Sequence, residues 1–145
     1  MKRAILWAFF CALVLKMFFF DFILAEGRSM VPAIQSGSIL FVNKISYGFR
    51  APFCGLYLMR WAKPKPGDVV VFWTPYGDLA VKRCAGLEGE NSFLAYGDNS
   101  SASFDSRFYG SVPLDNIVGK AAGIKPAASS LEAPFTGPAP GGFDK

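Results

Sequence analysis

The chain has 145 residues, a formal net charge of +4 and no histidine. This length holds one modest domain, and the lack of histidine excludes both a Ser-His-Asp triad and any histidine-ligated metal site. No basic run with interleaved aromatic residues accompanies the positive charge, so we expect no nucleic-acid partner. Attraction to anionic lipid headgroups agrees better with the composition.

The first predicted element is the apolar stretch at residues 4–25, which as a helix would span about 33 Å. A bilayer core is about 30 Å thick, so the stretch predicts one transmembrane helix. Lys16 has a stem long enough to snorkel, and Asp21 lies near the outer headgroups. Lys2 and Arg3 precede the stretch, which places the N-terminus in the cytoplasm and the remaining chain outside. A cleaved signal peptide is the alternative, although the stretch is longer than the usual signal-peptide core.

The pattern divides the chain into three parts. Residues 1–25 are a cytoplasmic stub and anchor, residues 26–125 an extracytoplasmic β domain, and residues 126–145 a flexible tail rich in Pro, Gly and Ala. In the middle part, residues 26–34 predict a loop that enters a short helix, with Pro32 in its first turn. The aromatic, irregular residues 46–62 either pack over the core or rest on a membrane surface.

Short apolar and β-branched runs predict the strands of this domain. They lie at residues 39–42, 69–73, 79–85, 93–96 and 117–120. The turn at residues 76–78 makes the second and third of these runs a hairpin. The domain is therefore expected to be mainly β with little helix.

Three cysteines are present. Cys11 lies in the predicted span, whereas Cys54 and Cys84 lie outside, where a disulfide is chemically permitted. Two separate buried thiols are an equally good interpretation, because sequence alone does not place the two residues within bonding distance.

Ser29 and Lys82 are the candidate reactive pair. A serine nucleophile needs a base, and without histidine a lysine can serve only where burial favours its neutral amine. In a strand, Lys82 and Arg83 point to opposite faces, so one of them faces inward or across an edge. Only the lysine can lose its proton. The alternative roles are a helix N-cap for Ser29 and an exposed cross-strand position for Lys82.

Four segments carry a family resemblance. They are GRSMVPAI at residues 27–34, GDVVVF at 67–72, VKRCAGLEGE at 81–90 and GDNSSASFDSRFYG at 97–110. In this order, behind an apolar N-terminal stretch, they resemble the boxes of type I signal peptidases, the Ser-Lys leader peptidases of peptidase family S26. The resemblance covers about residues 4 to 124. It implies a small antiparallel, barrel-like β domain behind one transmembrane helix in the cytoplasmic membrane.

The resemblance also implies roles for single residues. Ser29 is similar to the nucleophile, Lys82 to the general base, and Ser103 to the hydroxyl that orients the lysine amine. Asp105 and Arg107 look like the structural ion pair of the last box. The neighbouring Asp98 and Asn99 are expected to form a turn.

The oxyanion hole of this family uses the backbone N–H of the nucleophile. That donor would be the N–H of Ser29. Some members add a serine hydroxyl two residues earlier, where this chain has Gly27. A side-chain donor is therefore missing at that position, and another backbone group or a water would substitute.

The implied substrates are the signal peptides of preproteins, with small residues at positions −1 and −3. Such a peptide binds in extended form and can pair with an exposed sheet edge. The candidate pocket walls are Met30, Pro32, Ile34 and Val81. Membrane lipid is a further partner, the secretion translocon is left open as another, and no metal or cofactor is expected.

Three other functions stay open at this point. One is a specialised relative that processes a single dedicated precursor, such as a pilin or a plasmid-encoded protein. Another is a self-cleaving repressor-type protease, although no DNA-binding domain precedes the Ser-Lys pair. The last is a non-catalytic anchored β module.

The chain departs from the family pattern at Glu90, where the family usually has Asp. This residue lies in a loop that does not touch Ser29 or Lys82.

Overall fold

The computed structural model describes residues 1–51 and 55–125 of the chain. Helix α1 (Lys2–Phe18) comes first, and a single-turn helix, α2 (Ser106–Tyr109), follows late in the chain. Two short 3-10 helices (Ser100–Ala102 and Leu114–Asn116) and nine strands make up the rest of the regular structure in the described residues. The strands are β1 (Phe20–Leu24), β2 (Ile39–Asn43), β3 (Gly48–Arg50), β4 (Tyr57–Arg60), β5 (Val69–Trp73), β6 (Leu79–Glu88), β7 (Ser92–Tyr96), β8 (Val112–Pro113) and β9 (Ile117–Lys125).

Seven strands form one sheet in the order β1-β2-β9-β5-β6-β7-β8, and β3 and β4 form a separate two-stranded hairpin. Every pairing is antiparallel, and the large sheet curls into a half-barrel. The prediction of a mainly β domain is confirmed, as are the five predicted strands and the β5–β6 hairpin.

The curled sheet is packed on both faces. Successive side chains of a strand point to opposite faces, so Val70 and Phe72 of β5 enter one core cluster while Val71 enters the other. Phe72 meets Phe93 edge-to-face, with the ring centroids 5.3 Å apart. Burial on both faces explains why β5 is an unbroken apolar run instead of an alternating one.

The helix predicted for residues 4–25 is wrong over its last part, because residues 20–24 form β1. Phe20–Leu24 pairs residue by residue with β2, and the rings of Phe20 and Phe22 lie 5.7 and 5.5 Å from that of Phe41. Aromatic residues favour such cross-strand contacts, so the sheet partner outweighs helix propensity here. Asp21, expected near the headgroups, lies 3.2 Å from the Nζ of Lys44. In the described part of the chain no helix is both long and apolar enough to cross a membrane.

Two further predictions for the loops need correction. Residues 29–33 form turns instead of a helix, with the Val31–Pro32 peptide bond cis and one hydrogen bond from Ile34 N to Met30 O of 2.8 Å. The stretch 46–62 contains β3 and β4, which pair with each other in antiparallel fashion. The irregular aromatic sequence did not predict these two strands. Cys84 is a buried free thiol; Cys54 and the predicted tail at 126–145 lie outside the described residues.

A close approach at Gly97 joins the loop after β7 to the segment after β1. A Cβ added at Gly97 would lie 2.7 Å from the carbonyl oxygen of Ser29 and closer still to Ser103 Oγ. Both distances are far below van der Waals contact, so any side chain at this position would push the two segments apart.

We therefore expect Gly97→Ala to lower the free energy of unfolding by about 1–3 kcal/mol, the usual cost of overpacking. Gly86→Ala is the matched control, because a Cβ at Gly86 meets nothing within 4 Å and should change the stability by less than about 0.5 kcal/mol. Chemical denaturation of the two variants measures both values. Equal stability of the two variants would contradict the close approach.

Candidate active site

A cleft of about 360 Å³ lies between the edge strand β1 and the first residues of β6. Leu79–Lys82 pair with β5 on one side, and β7 joins β6 only from Arg83 onward. The other edge of Leu79–Lys82 therefore has no strand partner in the described part of the chain. The outer edge of β1 is likewise at the end of the sheet, so two strand edges face the same cleft.

Ser29 and Lys82 both line this cleft. Ser29 sits in the turn that follows β1 and is half-buried. The backbone N–H of Asn99 donates to the carbonyl oxygen of Ser29 over 2.8 Å, which ties the turn to the loop after β7. The curl of the sheet thus brings together two residues that are 53 positions apart in the sequence (82 − 29).

Lys82 is buried, with 6% of its surface exposed. Burial lowers the pKa of its amine from the ordinary value of 10.5; the nearby Asp105 carboxylate acts in the opposite direction, and the Arg107 guanidinium lowers the pKa further. Taking an ammonium out of water costs free energy that the neutral amine avoids, so burial is the dominant cause. Burial therefore makes Lys82 lose its proton more readily than an exposed lysine does.

A hydrogen-bonded chain runs from Lys82 to Arg107. The amine of Lys82 lies 3.1 Å from Ser103 Oγ, which lies 2.5 Å from Asp105 Oδ2. The guanidinium of Arg107 grips both oxygens of Asp105 at 2.9 and 2.6 Å, and Gly97 N–H donates to the same carboxylate at 2.8 Å. Asp105 is completely buried, so these donors replace the water that its charge has lost.

The ionisation of Asp105 sets the direction of these hydrogen bonds. Burial raises the pKa of this carboxyl, but the bonds from Arg107, Gly97 and Ser103 outweigh it and hold the pKa well below its ordinary value. An ionised carboxylate only accepts hydrogen bonds, so the single hydroxyl proton of Ser103 is committed to Asp105. Ser103 can then only accept from Lys82, which leaves the lone pair of a neutral Lys82 amine free for another donor.

Arg83 points to the opposite face from Lys82, as alternation in a strand predicts. Its guanidinium makes a two-pronged contact with Asp98, at 2.8 and 2.7 Å, and a third bond to the carbonyl of Gly67. Asp98 is thus more than the turn residue that the sequence predicted. In the sequence, the only indication of this contact is that Arg83 and Asp98 carry opposite charges, in two different boxes.

The structure places three of the four predicted pocket walls at the cleft. Met30, Ile34 and Val81 line the cleft, but Pro32 does not and is exposed. Ile23, Leu24 and Ala25 also line the cleft. These three residues could not be predicted as pocket walls from the sequence, because they were assigned to a transmembrane helix. Only as part of an edge strand and the turn after it do they reach the cleft.

Gly27 also lies at the cleft, with a positive φ of 82°. This is a conformation that glycine adopts without strain. A Cβ at this position would meet nothing within 4 Å. The glycine is therefore explained by the backbone conformation of the turn, with no crowding involved.

Comparison with known proteins gives a consistent result. The family model described as signal peptidase, peptidase S26, matches residues 1–91 and 90–124. A signal peptidase I from Bacillus caldolyticus is 28% identical over 162 aligned positions, which cover 82% of this chain and 88% of that protein. A signal peptidase I from Pseudomonas fluorescens is 35% identical over 83 positions, and one from Buchnera aphidicola (subsp. Schizaphis graminum) is 30% identical over 83.

The lengths of these relatives differ widely. The match covers 29% of the Pseudomonas protein and 27% of the Buchnera protein, so the chain spans less than a third of either. The matched family model nevertheless includes all four sequence boxes and every residue of the cleft described above. The chain therefore belongs to the signal peptidase family, peptidase S26.

Proposed function

We propose that the protein is a serine endopeptidase that removes signal peptides from preproteins, with Ser29 as nucleophile and Lys82 as general base. The observation that carries this proposal is the shared cleft, in which Ser29 lies beside a buried lysine whose amine is anchored by Ser103. The family to which the chain belongs supports the same reaction. A neutral lysine in an apolar cleft is a competent base for a serine hydroxyl.

The first half-reaction forms an acyl-enzyme. Ser29 Oγ attacks the carbonyl carbon of the scissile bond while its proton passes to Lys82 Nζ. The negative charge that develops on the carbonyl oxygen is stabilised by the backbone N–H of Ser29, because Gly27 offers no side-chain donor. As the carbon–nitrogen bond breaks, Lys82 gives its proton to the leaving amine.

The second half-reaction is the reverse with water as nucleophile. Lys82, now neutral again, takes a proton from a water that attacks the acyl carbon. The tetrahedral intermediate collapses, the proton returns to Ser29 Oγ, and the signal peptide leaves as a carboxylic acid. Ser103 accepts a hydrogen bond from Lys82 in both protonation states, and in the neutral state this leaves the lone pair of the amine for the proton of Ser29 or of water.

The two strand edges at the cleft support binding of an extended substrate. Four antiparallel pairings separate β1 from β6, so both strands run in the same direction towards the reactive pair. A peptide laid between them would be hydrogen-bonded on both sides. Residues −1 and −3 of such a peptide point to the same side, where Met30, Ile34 and Val81 would contact them.

Replacing either member of the pair should abolish cleavage. We expect Ser29→Ala and Lys82→Met each to lower the rate at least about 10³-fold on a precursor with an Ala-x-Ala site, since members of one catalytic unit are individually essential. The cut is located by mass spectrometry of the purified protein in detergent. Ser36→Ala and Lys63→Met are exposed controls that should cleave as the wild type does. Retained activity in Ser29→Ala or Lys82→Met would exclude this pair.

The pH profile tests the protonation state of the base. A protonated Lys82 cannot accept the serine proton, so kcat/KM should rise with pH through the pKa of Lys82. Burial lowers that pKa, and the midpoint should therefore lie below 10.5, the ordinary value for lysine. A rate that stays flat from mildly acidic to alkaline pH would show that no buried lysine takes the proton.

Members of this family are generally associated with membranes. For this chain the proposed attachment is α1, whose large apolar side chains are exposed in the structure. They include Ile5, Leu6, Trp7, Phe9, Phe10 and Leu13. Because β1 follows α1 directly, attachment through α1 would hold the cleft close to the membrane surface.

Vesicle flotation tests this attachment. The full chain should float with vesicles that contain anionic lipid, whereas the double variant Leu6→Glu, Phe9→Glu should stay behind, because each charge costs about 2–3 kcal/mol in the apolar layer. Leu87→Glu changes an exposed leucine of β6 in the same way and should still float. A double variant that floats as the wild type does would exclude α1 as the attachment.

A further inference from the structure

Four aromatic side chains form a continuous surface beside the reactive lysine, here called the aromatic ledge (Tyr76, Phe104, Phe108 and Tyr109). Phe104 is its centre, with ring centroids 5.9 Å from Tyr76, 5.3 Å from Phe108 and 5.5 Å from Tyr109. Tyr76 and Phe108 are each 67% exposed and Phe104 is 59% exposed. Exposed aromatic residues in contact with one another are typical of a binding surface.

The outward position of Phe104 follows from its neighbours. Ser103 and Asp105 are both buried, because they belong to the hydrogen-bonded chain that ends on Lys82. In an extended segment the residue between two inward-facing ones faces outward. The same short stretch therefore orients the lysine with one side and presents a phenyl ring with the other.

A second cleft, separate from the one that contains Ser29, connects the ledge to Lys82. Its volume is about 480 Å³, and it is lined by Thr74, Tyr76, Asp78, Ala80, Lys82 and Phe104. Lys82 and Ala80 line both clefts. The lysine thus stands between the space where Ser29 would hold the acyl group and the space that leads to the ledge.

The proposed reaction gives these two spaces different occupants. The acyl part of the substrate becomes bonded to Ser29, so it occupies the cleft that Ser29 lines. The leaving amine takes its proton from Lys82 and therefore departs on the side of the lysine. The chain that follows that amine must continue beyond Lys82, and the second cleft with its aromatic wall lies there.

We propose that the aromatic ledge binds the first residues after the scissile bond, the amino-terminal residues of the released protein, with Phe104 as the main contact. This inference rests on the proposed function. The ledge is a surface for apolar or aromatic side chains in an extended segment, which flat rings accommodate at low cost in conformational entropy. It would hold the leaving chain in line during acylation and would slow its release afterwards.

Two substrates that share one signal-peptide sequence test the proposal. The first continues for about six residues after the scissile bond, a length of about 20 Å when extended, with an aromatic side chain among them. The second ends one residue after the scissile bond. They are compared in detergent and in lipid vesicles with the wild type, with Phe104→Ala and with the control Leu87→Ala, an exposed residue of β6 that lines neither cleft.

We expect Phe104→Ala to lower kcat/KM for the long substrate about tenfold, the effect of losing one aromatic contact, and to leave the short substrate unchanged. Leu87→Ala should match the wild type on both. A peptide that corresponds to the released amino terminus should also inhibit the wild type more strongly than Phe104→Ala. Phe104 is exposed, so the variant should keep the melting temperature of the wild type.

Four results would overturn the proposal. If Phe104→Ala cleaves both substrates as the wild type does, or loses activity equally on both, the ledge makes no contact after the scissile bond. If the loss appears only in lipid vesicles and is the same for both substrates, the ledge contacts lipid instead. A wild type that cleaves neither substrate would refute the proposed function itself, and the ledge proposal with it.

Discussion

The burial of one lysine is the constraint on which the rest of the site depends. A lysine inside an apolar cleft loses its hydration, and the lowered pKa of Lys82 is the result. Such a residue needs a hydrogen-bond acceptor that does not restore the positive charge. Ser103 is that acceptor, since its own proton is held by a carboxylate whose charge is in turn shared with Arg107.

This arrangement also explains why Asp105 does not bond to the lysine directly. A carboxylate in contact with Lys82 would raise the pKa of the amine and keep it protonated. Ser103 lies between the two groups, and Arg107 and the Gly97 N–H donate hydrogen bonds to the carboxylate. These other donors therefore compensate most of its negative charge. The buried ion pair therefore acts on the lysine through the orientation of one hydroxyl group.

The sequence predicts those parts of the fold in which local pattern and tertiary environment agree. The run at β5 is β-branched and apolar because both of its faces are buried, so its composition alone identifies it as a strand. The stretch Phe20–Leu24 is different, because it has four apolar residues around Asp21 and so short a stretch suits a helix and a strand equally well. Only the pairing with β2, which is a separate segment of the chain, decides between helix and strand.

The same distinction holds for the site. Ser29 and Lys82 could be identified from residue type and from their sequence boxes, and the structure places them in one cleft. The Arg83–Asp98 contact and the ledge around Phe104 could not be identified, because both depend on how the loop after β7 folds back. Phe104 stands in a polar segment, where nothing in the sequence indicates that other aromatic rings will surround it.

The adjacency of Lys82 and Arg83 has a mechanical consequence for that loop. From one strand, Arg83 holds the beginning of the loop at Asp98, and Lys82 holds its end at Ser103. A polar segment rich in serine would ordinarily fluctuate on the nanosecond scale. Here two consecutive residues of β6 bind it at two points and restrict that motion. The loop should consequently move together with the sheet. The position of Ser103 relative to the Lys82 amine should therefore vary as little as the strand itself does.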